Sequence, residues 1–136
     1  MKPEKQGKRE QSEPTKSELE ILQVLWQYGP NTVRFVNDKL NEQKREVNYA
    51  STLKLMQIMA EKDLVIRDEK NKAHVYAPRI REDQTQRQLV GDLVDRVFGG
   101  SAARMVMQAL ATKKANPEEL AEIRHMLDEF EQNGEA

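Results

Sequence analysis

Asn48, Tyr49, Ala50, Ser51, Thr52 and Lys54 stand together at the head of an apolar-periodic run. The chemistry such a cluster can do is recognition. Hydroxyls and exposed backbone N–H groups at a helix start suit phosphate oxygens, an asparagine can pair with adenine, and Ala50 or the Thr52 methyl can touch a thymine methyl. Asn48 is equally well read as a helix cap and Tyr49 as a surface aromatic. A second polar cluster, Arg67, Lys70, Asn71 and Lys72, surrounds a turn between two β-prone runs. A charged turn beside a reading helix can neutralise phosphates or enter a minor groove, although polar tips are usual in any hairpin. Lys44 and Arg45 precede the reading run, and Asn31, Thr32 and Arg34 open the helix before it. These are placed for backbone contacts, which position without specifying.

No catalytic constellation accompanies these groups. The chain has no cysteine, which removes disulfides, thiol catalysis and cysteine-based metal sites, and the lone His74 and His125 cannot complete a zinc shell. There is no HExxH, GxSxG or phosphate loop, and Gly99-Gly100 is too short to cradle a phosphate. Neither an enzyme nor a bound cofactor is expected. With 136 residues, 38% apolar and 33% charged, the chain has room for one ordinary domain or two small ones with thin cores. A formal charge of -1 excludes a histone-like wrapper but not a locally basic module, and the slight basic excess lies before Pro78. Uncharged stretches fall far below the roughly 18 to 20 apolar residues of a membrane span. No apolar signal core follows the polar start, so a cytoplasmic protein without membrane insertion is expected.

Holding the reading cluster in place takes a particular succession of elements. Residues 1–15 mix Lys2, Lys5, Lys8 and Arg9 with Glu4, Glu10 and Glu13 and carry no large apolar residue after Met1. They are expected to form a disordered arm, a basic arm touching DNA being the functional alternative. From Lys16 the period becomes 3.6, through Leu19, Leu22, Val24, Leu25 and Trp26, until Tyr28-Gly29-Pro30 stops the helix. Asn31 or Thr32 can cap a second helix with Val33, Val36 and Leu40 on one face, ending near Gln43. Leu53, Leu55, Met56, Ile58 and Met59 mark a third, running to about Lys62. Val65-Ile66-Arg67 and Ala73 to Ala77 then flank a polar turn, and Pro78 closes the hairpin. Three helices and a two-stranded ribbon over residues 16–78 are the order of a winged helix-turn-helix. The second helix of the pair in such a domain lies in a major groove about 12 Å wide.

Residues 79–136 read as a separate helical domain, so the fold class is mainly α with a small β-hairpin. Leu89, Val90, Leu93, Val94, Val97 and Phe98 make one broad apolar face before Gly99-Gly100 breaks the helix. Ser101 can cap a helix carrying Met105, Val106 and Leu110, and Asn116-Pro117-Glu118-Glu119 opens a last one with Leu120, Ile123, Leu127 and Phe130 on a coiled-coil-like seam. A module this small buries only about 60% of its unfolded-chain surface. These faces are therefore expected to pair with an identical subunit, an intramolecular core being the alternative.

Ser17 to Trp26, Ser51 to Val65 and His74-Val75-Tyr76, together with the Phe98-Gly99-Gly100-Ser101 break, resemble the penicillinase-repressor family, BlaI/MecI/CopY, over about residues 16–127. The resemblance implies a bacterial homodimeric winged-helix repressor whose partner is a palindromic double-stranded operator. It also implies release through proteolysis in the dimerisation helices, triggered by a membrane metallopeptidase sensor. The position of the family's usual Asn-Phe cleavage pair holds Gln108-Ala109, a departure from that pattern. The missing cysteines leave no counterpart of the copper-responsive branch's metal tail. Asp63 stands where glycine is common before the wing, which implies a somewhat different turn there. The rival reading is a winged-helix protein–protein adaptor without sequence-specific DNA binding.

Overall fold

The computed structural model describes residues 13–43, 46–70 and 72–134. All but the end of the arm expected over residues 1–15 lies outside them. Thr15, at that end, is the N-cap of helix α1 (Lys16–Tyr28). Its hydroxyl accepts from the Glu18 N–H at 3.3 Å while the Glu18 carboxylate accepts from the Thr15 N–H at 2.9 Å, a reciprocal capping box. Gly29, at φ 87°, ends the helix by donating its N–H to the Leu25 carbonyl. After the short strand β1 (Asn31–Thr32) comes α2 (Val33–Glu42), and of the two candidate caps it is Thr32 whose hydroxyl accepts from the Phe35 N–H. The third helix, α3 (Tyr49–Glu61), starts at an Asn48 cap.

The hairpin is formed by β2 (Val65–Asp68) and β3 (Val75–Pro78). It is not a two-stranded ribbon. Asn31 pairs with Tyr76 and Thr32 with Val75, so β1 completes a three-stranded antiparallel sheet in the order β1-β3-β2. Tyr76, on the central strand, is fully buried in a core shared with Ile21, Leu22 and Leu25 of α1, Val36 and Leu40 of α2, and Met56 and Met59 of α3. Apolar residues recurring at helical spacing on three helices thus close around one face of the sheet. The Trp26 indole N–H donates to the Ile80 carbonyl at 3.0 Å, tying the chain beyond the wing to α1.

Two features fix the far end of α3. Leu64 N–H bonds to the Met59 carbonyl at 2.9 Å and Asp63 N–H to the Ala60 carbonyl at 3.1 Å, with Asp63 at φ 66°. This is a Schellman ending that places buried Leu64 at the start of the wing. Asp63, where the resemblance puts a glycine, itself adopts the left-handed backbone that glycine favours. The second feature is Glu18, whose side chain is only 2% exposed. Lys62 Nζ reaches both of its carboxylate oxygens, at 2.8 and 3.0 Å.

The chain divides into two compact units, the first ending at Gln86 and the second beginning at Arg87. Helix α4 (Glu82–Val97) runs across the division, starting within the polar, Gln-rich stretch ahead of its apolar face. It ends at two successive left-handed glycines, Gly99 at φ 59° and Gly100 at φ 85°. Then come α5 (Ala102–Thr112), capped by Ser101, and α6 (Pro117–Gln132), with a capping box between Asn116 and Glu119 and proline in its first turn.

Removing one partner of a buried ion pair leaves the other uncompensated. Lys62→Met, which keeps the aliphatic stem, is expected to lower unfolding free energy by about 2 kcal/mol, read from the urea midpoint. Glu18→Gln in the same chain should recover part of the loss.

Candidate nucleic-acid interface

Helix α3 has two unlike faces. Thr52, Met56 and Met59 are buried against the core, whereas Asn48, Tyr49, Ala50, Ser51 and Lys54 are exposed at its start. The Asn48 carboxamide oxygen accepts from the Ser51 N–H at 2.7 Å, so its side chain serves as the cap, with one cap acceptor engaged. Tyr49 is 41% exposed and forms the platform for Arg34, whose guanidinium carbon lies 4.9 Å from the ring centroid. At that distance a guanidinium is held over the ring face by cation–π attraction. Arg34 and Tyr49, far apart in the chain, are thereby brought together on one surface.

Thr52 is a correction to the sequence reading. It is 1% exposed, and its hydroxyl accepts from Asn37 Nδ2 at 2.8 Å, so neither the methyl nor the hydroxyl is available to a base. Its burial against α2 removes it from the exposed cluster. Asn31 and Thr32 are half-buried in β1, Thr32 also capping α2, which leaves Arg34 as the exposed group at that helix start. Lys44, Arg45 and Asn71 lie outside the described residues.

On the wing, Lys70 and Lys72 are exposed, and the Asp68 carboxylate accepts from the Lys70 N–H at 2.9 Å, shaping the turn. Arg67 comes to this surface already partnered. The Tyr76 oxygen and the Glu69 carboxylate, which also ion-pairs with it, hold the guanidinium above its ordinary pKa. Sequence reasoning missed Asn37 and Asn41, which bond to Val47 and Thr52 around the start of α3. The signal was their spacing from Arg34 along one face of α2, visible only once Val33, Val36 and Leu40 are set aside as core.

The family model described as penicillinase repressor matches residues 14–129. The chain belongs to the penicillinase repressor family. It is 21% identical over 121 residues to the penicillinase repressor of Staphylococcus aureus, covering 88% of this chain and 94% of that one. It is 27% identical over 115 residues to the transcriptional regulator BlaI of Mycobacterium tuberculosis, covering 84% and 82%. The penicillinase repressors are transcriptional repressors.

In this member of the family the apolar residues of the second unit are largely uncovered. Val90, Leu93, Val97, Val106, Leu110, Leu127 and Phe130 are exposed, as are Met107 and Met126. Leu89, Val94, Phe98, Met105, Leu120 and Ile123 are half-buried, and neither α5 nor α6 has a buried residue. Gln108 and Ala109 are exposed but lie inside α5, where both carbonyls accept from the Thr112 hydroxyl. Among the described residues no group of His, Asp and Glu could hold a metal ion, and no helix is long and apolar enough to cross a membrane.

Asn48→Ala removes the side chain that caps α3 and is expected to cost about 1 kcal/mol of stability. The check is a shift of the denaturant midpoint at unchanged slope.

Proposed function

We propose that this repressor works as a homodimer that reads a palindromic operator in duplex DNA and represses by occluding the promoter. The observation that carries the reading is the exposed first turn of α3, where Tyr49, Ala50, Ser51 and Lys54 stand clear while the next turns are locked into the core. A helix presented this way offers base edges its N-terminal side chains, and exposed Lys70 and Lys72 on the wing are suited to flanking phosphates. Dimerisation is supported by the uncovered faces of α4 and α6. A run of exposed Val, Leu, Met and Phe side chains at helical spacing in so small a unit calls for a partner surface. Two copies of one chain satisfy that need with a self-complementary patch and set two reading helices at a fixed spacing. Release by proteolysis, brought by the family resemblance, would have to unwind α5 before the Gln108–Ala109 bond could enter a protease cleft.

Selection from a random duplex library is expected to enrich an inverted repeat with half-sites about 10 bp apart, centre to centre, or a multiple of that. Binding should weaken by orders of magnitude between roughly 50 and 200 mM salt. Replacing Lys70 and Lys72 by Glu should abolish binding, whereas a protein–protein adaptor would be indifferent. Sequence-indifferent binding at low salt would overturn the reading. In sedimentation, Leu93→Asp and Leu127→Asp are each expected to convert dimer to monomer with weak operator affinity. An unchanged dimer in both would remove α4 and α6 from the interface.

A further inference from the structure

Apolar contact holds α3 to the domain but does not by itself say where the helix begins. Met56 and Met59 are flexible side chains, and apolar burial is non-directional, so a small rotation or slide of the helix changes their contacts little. Directional bonds are needed to fix the register, and α2 supplies them from one stripe. Arg34, Asn37 and Asn41 follow at steps of three and four residues, which places them on one helix face. Arg34 stands over the Tyr49 ring.

Asn37, 7% exposed, donates through Nδ2 to the Val47 carbonyl at 2.9 Å and to the Thr52 hydroxyl at 2.8 Å. Asn41 Oδ1 accepts from the Val47 N–H at 2.8 Å, and its Nδ2 stands 3.5 Å from Asn37 Oδ1. Val47 is thus held at both of its backbone polar atoms, immediately before the Asn48 cap. Asn37 grips the chain on both sides of that cap, at Val47 before it and at Thr52 one turn beyond.

We propose that Asn37 and Asn41 are positioning residues for DNA reading, fixing where α3 starts and which way Tyr49, Ala50, Ser51 and Lys54 face without touching DNA themselves. The inference rests on the DNA-reading function proposed above. A purely stabilising role makes a different prediction, because replacing both members of a buried polar pair by apolar groups of similar shape is close to neutral for stability. The positioning role predicts that such a replacement spares the fold and spoils discrimination.

The test is the full chain carrying Asn37→Leu with Thr52→Val, beside Asn41→Ala and Thr52→Ser. The probes are the duplex that wild type enriches from a random library and a scrambled duplex of the same length. The double variant is expected to fold with a thermal midpoint lowered by several degrees, because the Val47 carbonyl loses its donor, and to keep its salt slope, since the phosphate contacts are unchanged. Its affinity ratio between the two duplexes should fall about tenfold, the equivalent of losing one or two directional bonds. Thr52→Ser, which keeps the hydroxyl, should retain the ratio. In the free protein, Asn41→Ala should speed hydrogen exchange at the Val47 amide and leave α1 unaffected.

An unchanged ratio in the double variant, with wild type selective, overturns this inference alone. A wild type that enriches no sequence overturns the DNA reading and this inference with it. If the double variant does not fold, Asn41→Ala, at an exposed position, decides by the same ratio, and an unchanged ratio there counts against the inference.

Discussion

Helix α3 is 13 residues long, close to the limit at which an isolated helix is even marginally stable in water. Its persistence depends on burying Thr52, Met56 and Met59 among residues from α1, α2 and the sheet. Every group at its exposed start inherits that dependence. The core therefore does more than stabilise the domain, because it divides α3 into a face that is committed and a face that is free. The Schellman turn at Asp63, the pair between Lys62 and Glu18, and the Asn48 cap then hold the two ends.

The second unit follows a contrary logic. Its helices are well bounded, by Ser101, by the Asn116–Glu119 capping box and by the left-handed Gly99 and Gly100, yet its apolar side chains remain in contact with water. Locally competent helices with uncovered apolar faces are the feature on which the proposed dimer rests.

Much of this fold was legible because it is local. Caps at Thr32, Asn48, Ser101 and Asn116 each precede a periodic run, and the apolar stripes of α1, α2 and α3 mark the core directly. What escaped was non-local. Strand β1 has only two residues, Asn31 and Thr32, too few to show alternation, and it exists because Tyr76 and Val75 lie beside it. Thr52 reads as a surface group until Asn37, fifteen positions earlier, is seen to partner it in the interior. Glu18 carries no mark of burial in the sequence, and its partner Lys62 arrives from the end of α3. The start of α4 was hidden because Glu, Gln and Arg favour helix without leaving an apolar stripe. In the candidate interface, residue types at the head of α3 were readable, but the division of labour between cap, platform and buried partner was set by tertiary contacts.

The central claim is that the head of α3 and the wing form the DNA-facing surface. The most direct measurement is a map of amide shift changes when the full-length protein is titrated with its enriched duplex. The account predicts the largest changes at Tyr49, Ala50, Ser51 and Lys54, with a second group at Lys70 and Lys72. Changes concentrated instead on the opposite chemistry of the first unit, the Tyr28 and Phe35 rings that pack edge to face beneath Lys39, with α3 silent, would contradict it.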